Sequence, residues 1–328
     1  MSNLNETNNT INFYKVFYCN ISKIEKGLQM FLRYIIISMF FTIGLLGNSS
    51  FGSIVSGSKT GTYYKVANDI STIFKKYKAN LNVIPTKGSV DNLNALTGKN
   101  EHARATWAIV QSDALDYYSF LHFKSTKKEV TDIVKTILPL YTEHIHIFAK
   151  KGKKIEFKKG TTLRVGVSSK TSGSNITANL IENAYKVNFK YRYVNFKTAL
   201  KYLQNDKLDI IINVISYPNA NFQKLKNVSL VNLPQNKIMN KKYIRSKFSK
   251  ARYTWLKKDV HSYKVPSVLI TNRVGKKYNQ TVGIYLKIIL NNYKSLIKYG
   301  HPVWREAYRN RTLKVNNMHP VAFQILHK

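Results

Sequence analysis

The feature that most limits how this chain can fold is an order of elements that occurs twice: a short apolar strand, a Gly/Ser/Thr loop, then an amphipathic helix. "SIV" (53–55) runs into "SGSKTGT". Tyr63, Val66, Ala67, Ile70, Phe74 and Tyr77 then recur at helical spacing. "LNVIPT" (81–86) reads as a second strand. "KGSVDNLNAL" (87–96) is a turn feeding a helix with Val90, Leu93 and Leu96 on one face, and "TWAIVQSD" (106–113) is a third strand. "HIHIFAKK" (144–151) is a further strand, after which the order restarts. "LRVGVSS" (163–169) leads through "KTSGSN" to a stripe of Ile176, Leu180, Ile181, Ala184 and Val187. "FKYRYV" (189–194), a "KTALKYLQND" helix and a buried "LDIIINV" strand (208–214) follow. Two β-α-β-α-β halves predict an α/β fold with parallel sheets covered by helices. Between 218 and 264 the pattern weakens. "VPSVLITN" (265–272) reads as a returning strand, Val282 to Ile297 as one long helix, and the end as a polar tail. Two α/β lobes with short connections predict a cleft, with ligands beyond the carboxyl ends of the strands.

The chain has 328 residues, 44% of them hydrophobic, enough for a substantial core. Its formal net charge is +37, from 53 Lys and Arg against 16 Asp and Glu. Such a surface attracts nucleic acid, anionic membrane or acidic small molecules. The lysines are spread along the whole chain, whereas a nucleic-acid footprint is clustered. Composition bias toward Lys, Asn, Tyr and Ile is therefore the favoured account, and nucleic acid is not an expected partner. The single cysteine, Cys19, permits no intramolecular disulfide and no Cys metal site. "MFLRYIIISMFFTIGLLGNSSFG", from Met30, has the layout of a secretory signal peptide: Arg33, an apolar run over 34–46, then small residues Gly47, Ser49, Ser50 and Gly52. Residues 1–52 are thus expected to be an N-terminal extension and signal peptide, with Met30 a possible start, and the mature chain to be periplasmic.

"GSKTGTYY" lacks the P-loop spacing, because Lys59 precedes the second glycine, and it lacks G-x-G-x-x-G. What remains is a generic anion site at a helix start. Unpaired N–H groups and the helix dipole attract a carboxylate, Gly61 allows close approach, and Thr60 or Thr62 can cap or donate. An ordinary βα turn is the plain alternative. "SSKTSGSN" (168–175) and "TKGSVDN" (86–92) repeat the chemistry, which favours binding. Gln111 can hold an amide or carboxylate, while Asp113 reads as a cap for the next segment. His144 and His146 share a strand face without the further ligands zinc needs, so packing is the preferred account. No nucleophile elbow, H-E-x-x-H or kinase set occurs, and acidic residues are sparse. No enzyme, metal or cofactor is expected, and a hydrolase or metal enzyme would need converging groups that the sequence does not display.

These motifs, in order over most of the chain, resemble the TAXI family of TRAP transporter solute receptors. The resemblance rests on "GSKTGTYY" (57–64), "KGSVDN" (87–92), "VQSD" (110–113), "YTEHIHI" (141–147), "GVSSKTSGSN" (166–175) and "LKVNNMHPVA" (313–322). It implies a two-lobed type II periplasmic-binding-protein fold, with lobe one formed by 53–146 plus 265–328 and lobe two by 147–264. It also implies a monomeric receptor that captures a small organic anion, a glutamate-like amino acid or dicarboxylate, and delivers it to a TRAP permease. Carried over residue by residue, the ligand contacts would be Ser58, Thr60, Gly61, Thr62, Tyr63, Ser89, Val90, Gln111, Ser172, Gly173, Ser174 and Asn175. Lys59, Thr60, Asn175 and Ser216 depart from the family pattern at such positions. Lys59 either pairs with a ligand carboxylate or is one more solvated lysine. The competing reading is a basic nucleic-acid or anionic-surface binder on the same fold, with solute binding altered or lost.

Overall fold

The computed structural model describes residues 50–100, 103–127, 129, 133–315 and 317–327. Residues 1–49, with Cys19, Met30 and the apolar run of the proposed signal peptide, lie outside the described residues; Ser50–Gly52, expected at the end of that peptide, instead open the first strand, where Phe51 is buried and its carbonyl accepts from the Trp107 indole at 2.7 Å. The first half holds β1 (Ser50–Val55), α1 (Thr62–Lys76), β2 (Asn80–Ile84), α2 (Ser89–Leu96), β3 (Trp107–Gln111) and α3 (Ser112–Thr126). β1 lies between β2 and β3, parallel to both. The second holds β5 (Thr162–Val167), α4 (Gly173–Tyr185), β6 (Asn188–Tyr193), α5 (Phe196–Gln204) and β7 (Ile210–Ser216), with β5 between β6 and β7 and again parallel to both.

Two long strands, β4 (Lys135–Lys150) and β10 (Val260–Thr271), join these halves and make the sheet mixed rather than parallel. β10 runs antiparallel to β3 along its second half and to β9 (Ile244–Phe248) along its first. β4 pairs antiparallel with β10 and, from Glu143 to Phe148, with β7. Each long strand thus contributes one end to each lobe. Short β8 (Val228–Leu230) and α6 (Lys237–Lys242) fill the stretch where the sequence pattern weakens.

Burial accounts for the sequence patterns. In β7 every second residue, Ile210, Ile212 and Val214, packs with Ile145, Ile147, Ala178 and Ile181. Ile211 faces the other way, onto Phe148, Ala199, Leu203 and Phe222. The unbroken apolar run is a strand covered on both faces, and each such side chain contributes about 1.5–3 kcal/mol on burial. A separate core joins Val55, Leu93, Ala108, Val110, Val268 and Ile270.

Three expectations need correction. α3 has no counterpart in the sequence reading: it buries Ala114, Leu115 and Tyr118 but leaves Tyr117, Phe120, Leu121 and Phe123 exposed, so its apolar residues circle the axis without a stripe. The single long helix is two, α7 (Asn279–Asn291) and α8 (Tyr293–Tyr299), divided at Asn292, whose N–H caps the carbonyls of Ile289 and Leu290. The polar tail holds α9 (Trp304–Asn310), anchored by fully buried Trp304, and α10 (Pro320–Leu326), capped by the His319 imidazole, which accepts from the Val321 N–H at 3.3 Å.

Candidate ligand-binding cleft

Three helices begin at one place. Thr62, Ser89 and Gly173, the first residues of α1, α2 and α4, all line a cavity of about 110 Å³. First-turn N–H groups have no partner within a helix, and each helix carries partial positive charge at that end. Local chemistry sets the starts: Ser172 caps α4, its hydroxyl accepting from the Asn175 N–H at 3.2 Å, and Gly88, at φ +133, turns the chain into α2. The Asn92 amide holds two loops in place, donating to the Ile109 carbonyl at 2.7 Å and accepting from the Thr86 hydroxyl at 2.6 Å.

The structure brings Gly61, Thr62, Tyr63, Ser89, Gln111, Ser172, Gly173 and Ser174 to this inner cavity. Ser58 and Thr60 instead line an outer groove of about 820 Å³, continuous with the cavity through Gly61, Ser168, Asn213 and Ile215. Lys59, Val90, Asn175 and Ser216 line neither. Lys59 is exposed on the loop. The Val90 N–H donates to the Thr171 carbonyl at 3.1 Å. The Asn175 side chain donates to the Lys170 carbonyl at 3.0 Å, within its own loop. The Ser216 hydroxyl meets that of Thr62 at 3.0 Å.

Several of these contacts join segments of the two halves, and the cleft is closed. Asp113 is buried at the head of α3, where its Oδ2 accepts from Thr177 Oγ1 and from the Tyr243 hydroxyl, each at 2.7 Å. Rather than simply capping its own helix, it ties α3 to α4 and to the end of α6. Burial raises its carboxyl above the ordinary range, opposed by those hydroxyls. The Gln111 side chain presses on Gly173 so closely that a Cβ there would lie 1.5 Å from Gln111 Oε1. Gln111 Nε2 is buried in the cavity wall and has no hydrogen-bond partner.

Gly57, Gly88, Ser168, Asn213, Val214 and Ile215 also line the cavity without being among the predicted contacts, and so does one carboxylate. Glu143 lies in β4, 4% exposed, and accepts from the Tyr63 hydroxyl at 2.5 Å. Burial pushes its carboxyl up to about 8, opposed by the Tyr63 bond and reinforced by Asp113. The signal was present: a lone carboxylate in the middle of a strand whose other interior residues are all buried. His144 and His146 are also buried, and burial pushes both imidazoles down to about 3. His146 bonds the Tyr253 hydroxyl at 3.0 Å and packs against Phe248. Among the described residues no group of three His, Cys, Asp or Glu side chains is placed to hold a metal ion. No helix among them is long and apolar enough to cross a membrane.

This architecture, two α/β lobes joined by long crossover strands with helix starts facing the cleft, is the two-lobed periplasmic-binding-protein fold. Its match to a solved periplasmic transporter covers 86% of this chain and 98% of that one, at TM-score 0.50 and 11% identity. Two further similar structures are the periplasmic binding protein BugD (80% and 86% covered, TM-score 0.47, 11% identity) and a TctC solute binding protein from Polaromonas (83% and 89%, TM-score 0.42, 16% identity). No curated protein matches the sequence. The chain belongs to the NMT1-like family, whose match spans residues 54–325.

Proposed function

We propose that this protein is an extracytoplasmic solute receptor. It captures a small carboxylate in the inter-lobe cavity without transforming it and delivers it to a membrane transporter of the TRAP type. The observation that carries the reading is the convergence of three helix N-termini and the unpaired Gln111 amide on one inter-lobe cavity. A buried donor without a partner costs about 1–3 kcal/mol, which a ligand oxygen would recover. Helix starts hold an anion without a charged side chain, which suits a cavity that neither lysine nor arginine lines. The ordered motifs shared with TAXI receptors support this subfamily and the TRAP partner. On the same reading, lobe one is 53–146 plus 265–328, lobe two is 147–264, and the segment from Met30 up to β1 is an export signal. Melting the protein with a panel of amino acids, dicarboxylates and tricarboxylates tests the proposal. A true ligand at a hundredfold excess over Kd adds about 2.7 kcal/mol of stability, and a panel that shifts nothing would refute carboxylate capture.

A further inference from the structure

Helix α3 is turned the wrong way round for a surface helix. Its Tyr117, Phe120, Leu121 and Lys124 recur at the spacing of one helix face, and all four are exposed. Phe123 is exposed beside them, while Ala114, Leu115 and Tyr118 turn inward. α6 adjoins this face: the Lys242 ammonium meets the Asp116 carboxylate at 3.4 Å, and the Tyr243 hydroxyl donates to Asp113. Ile238 stands one turn before Lys242 on α6 and is exposed on the same side. Between the helices lies a cavity of about 300 Å³, walled by Tyr117, Phe120, Ile176, Leu180 and Tyr243. Five of the eleven large apolar side chains exposed among the described residues thus fall on two touching helices, a concentration that marks an interaction surface.

The charges around this face select its partner. Lys124 and Lys127 stand at the C-terminal end of α3, and Lys237, Lys241 and Lys242 along α6, all exposed. Against them stand Asp116, already paired with Lys242, and Glu129. A second copy of the chain would bring the same lysines face to face, which like charges oppose. A layer of anionic lipid head groups complements them, and each lysine near such a layer strengthens binding by about fivefold. Rings and aliphatic chains at the centre can pass between the head groups to the acyl boundary. The whole chain, at +37, is drawn the same way, and the apolar side chains decide which face arrives, with Phe120 the most exposed of them on α3 at 62%. We propose that α3 and α6 form a membrane-resting face. Tyr117, Phe120, Leu121, Phe123 and Ile238 enter the interface of an anionic bilayer, and the lysines meet its phosphates. The face lies on the membrane rather than spanning it, and its use does not depend on what the cleft binds.

Flotation of the full chain with vesicles of phosphatidylcholine containing about 30% phosphatidylglycerol tests this. The expected result is binding about tenfold or more tighter than to phosphatidylcholine alone, weakened by high salt. Phe120→Ser with Leu121→Ser leaves every charge in place and should weaken binding about tenfold or more; an unchanged affinity would overturn the assignment. Both chains carry the same N-terminal apolar run, so the difference belongs to the face. Phe120→Trp gives a second reading and keeps a ring in place, which serves if the serine pair does not fold. On vesicles with brominated acyl chains its added emission should be quenched, and unquenched emission from bound protein would also overturn the proposal. Two other results would reassign the face and sink it. One is a dimer in light scattering that the serine pair dissolves, which points to a second copy. The other is binding to native membranes but not to vesicles of their extracted lipid, which points to a membrane protein.

Discussion

Replacing Glu143 with glutamine should remove a loss of stability that the parent suffers as pH rises over the neutral range. In the folded chain this carboxyl titrates at about 8 against an ordinary 4.5, because burial disfavours its charged form. The folded state therefore keeps a proton that the unfolded chain releases. The stabilisation is fully present below about pH 4.5 and is lost as pH rises through 8. Each pH unit in that window removes about 1.4 kcal/mol, close to 5 kcal/mol across the whole interval. Glutamine has nearly the same shape and can still accept from the Tyr63 hydroxyl, so at pH 5 the variant should lie within about 1 kcal/mol of the parent. By pH 8 it should be the more stable by about 3–4 kcal/mol. Asp113, also raised by burial, bends both curves in the same sense. Urea unfolding followed by tryptophan fluorescence at pH 5, 6, 7 and 8 measures the difference directly. Curves for parent and variant that stay parallel would show that Glu143 is solvated or paired, and the argument from burial would fail.

Gly173→Ala places a methyl group where Gln111 already sits. Overpacking of about 1–3 kcal/mol is relieved if the lobes open, so ligand affinity should fall about 10- to 100-fold and X-ray scattering should report a larger radius of gyration. Adding Gln111→Ala should restore closure; unchanged affinity in the single variant would mean that closure does not need this contact. Asp113→Asn weakens the paired bonds from Thr177 and Tyr243 and should cost about 2–3 kcal/mol in urea unfolding. A loss below 0.5 kcal/mol, on the order of an ordinary surface change, would show that the tie is idle. Lys59 is exposed and lines neither cavity. Lys59→Thr should therefore leave stability within about 0.5 kcal/mol and ligand affinity within about twofold, and a larger change in titration would bring this lysine back to the ligand.

Much of the candidate site was legible because its parts are local. The strand, loop and helix order around Gly61, Ser89 and Gly173 is written within a few residues each, since capping, turn chemistry and apolar spacing act over that range. Lys59 and Asn175 carry the same local signals as their neighbours, yet one faces solvent and the other bonds within its own loop. Side-chain direction inside a loop depends on what packs against it, which spacing does not record. α3 was illegible for a different reason: aromatic residues around its whole circumference give no stripe to read.

From the sequence alone follow the α/β class, the two-part organisation and three anion-friendly helix starts, because these depend on propensity and periodicity over short segments. Only the tertiary structure decided that the three starts meet and that Gln111 closes on Gly173. It also set Tyr63 against Glu143 across 80 residues and bound Asp113 to Thr177 and Tyr243 across 64 and 130. Pairings at such separations are set by strand order and closure of the sheet, which brings β4 and β10 between the halves. They leave no periodic trace in the chain. The raised carboxyl of Glu143 is a consequence of that closure: in the extended chain it is an ordinary acid, and burial in the cavity wall, reinforced by Asp113, shifts it.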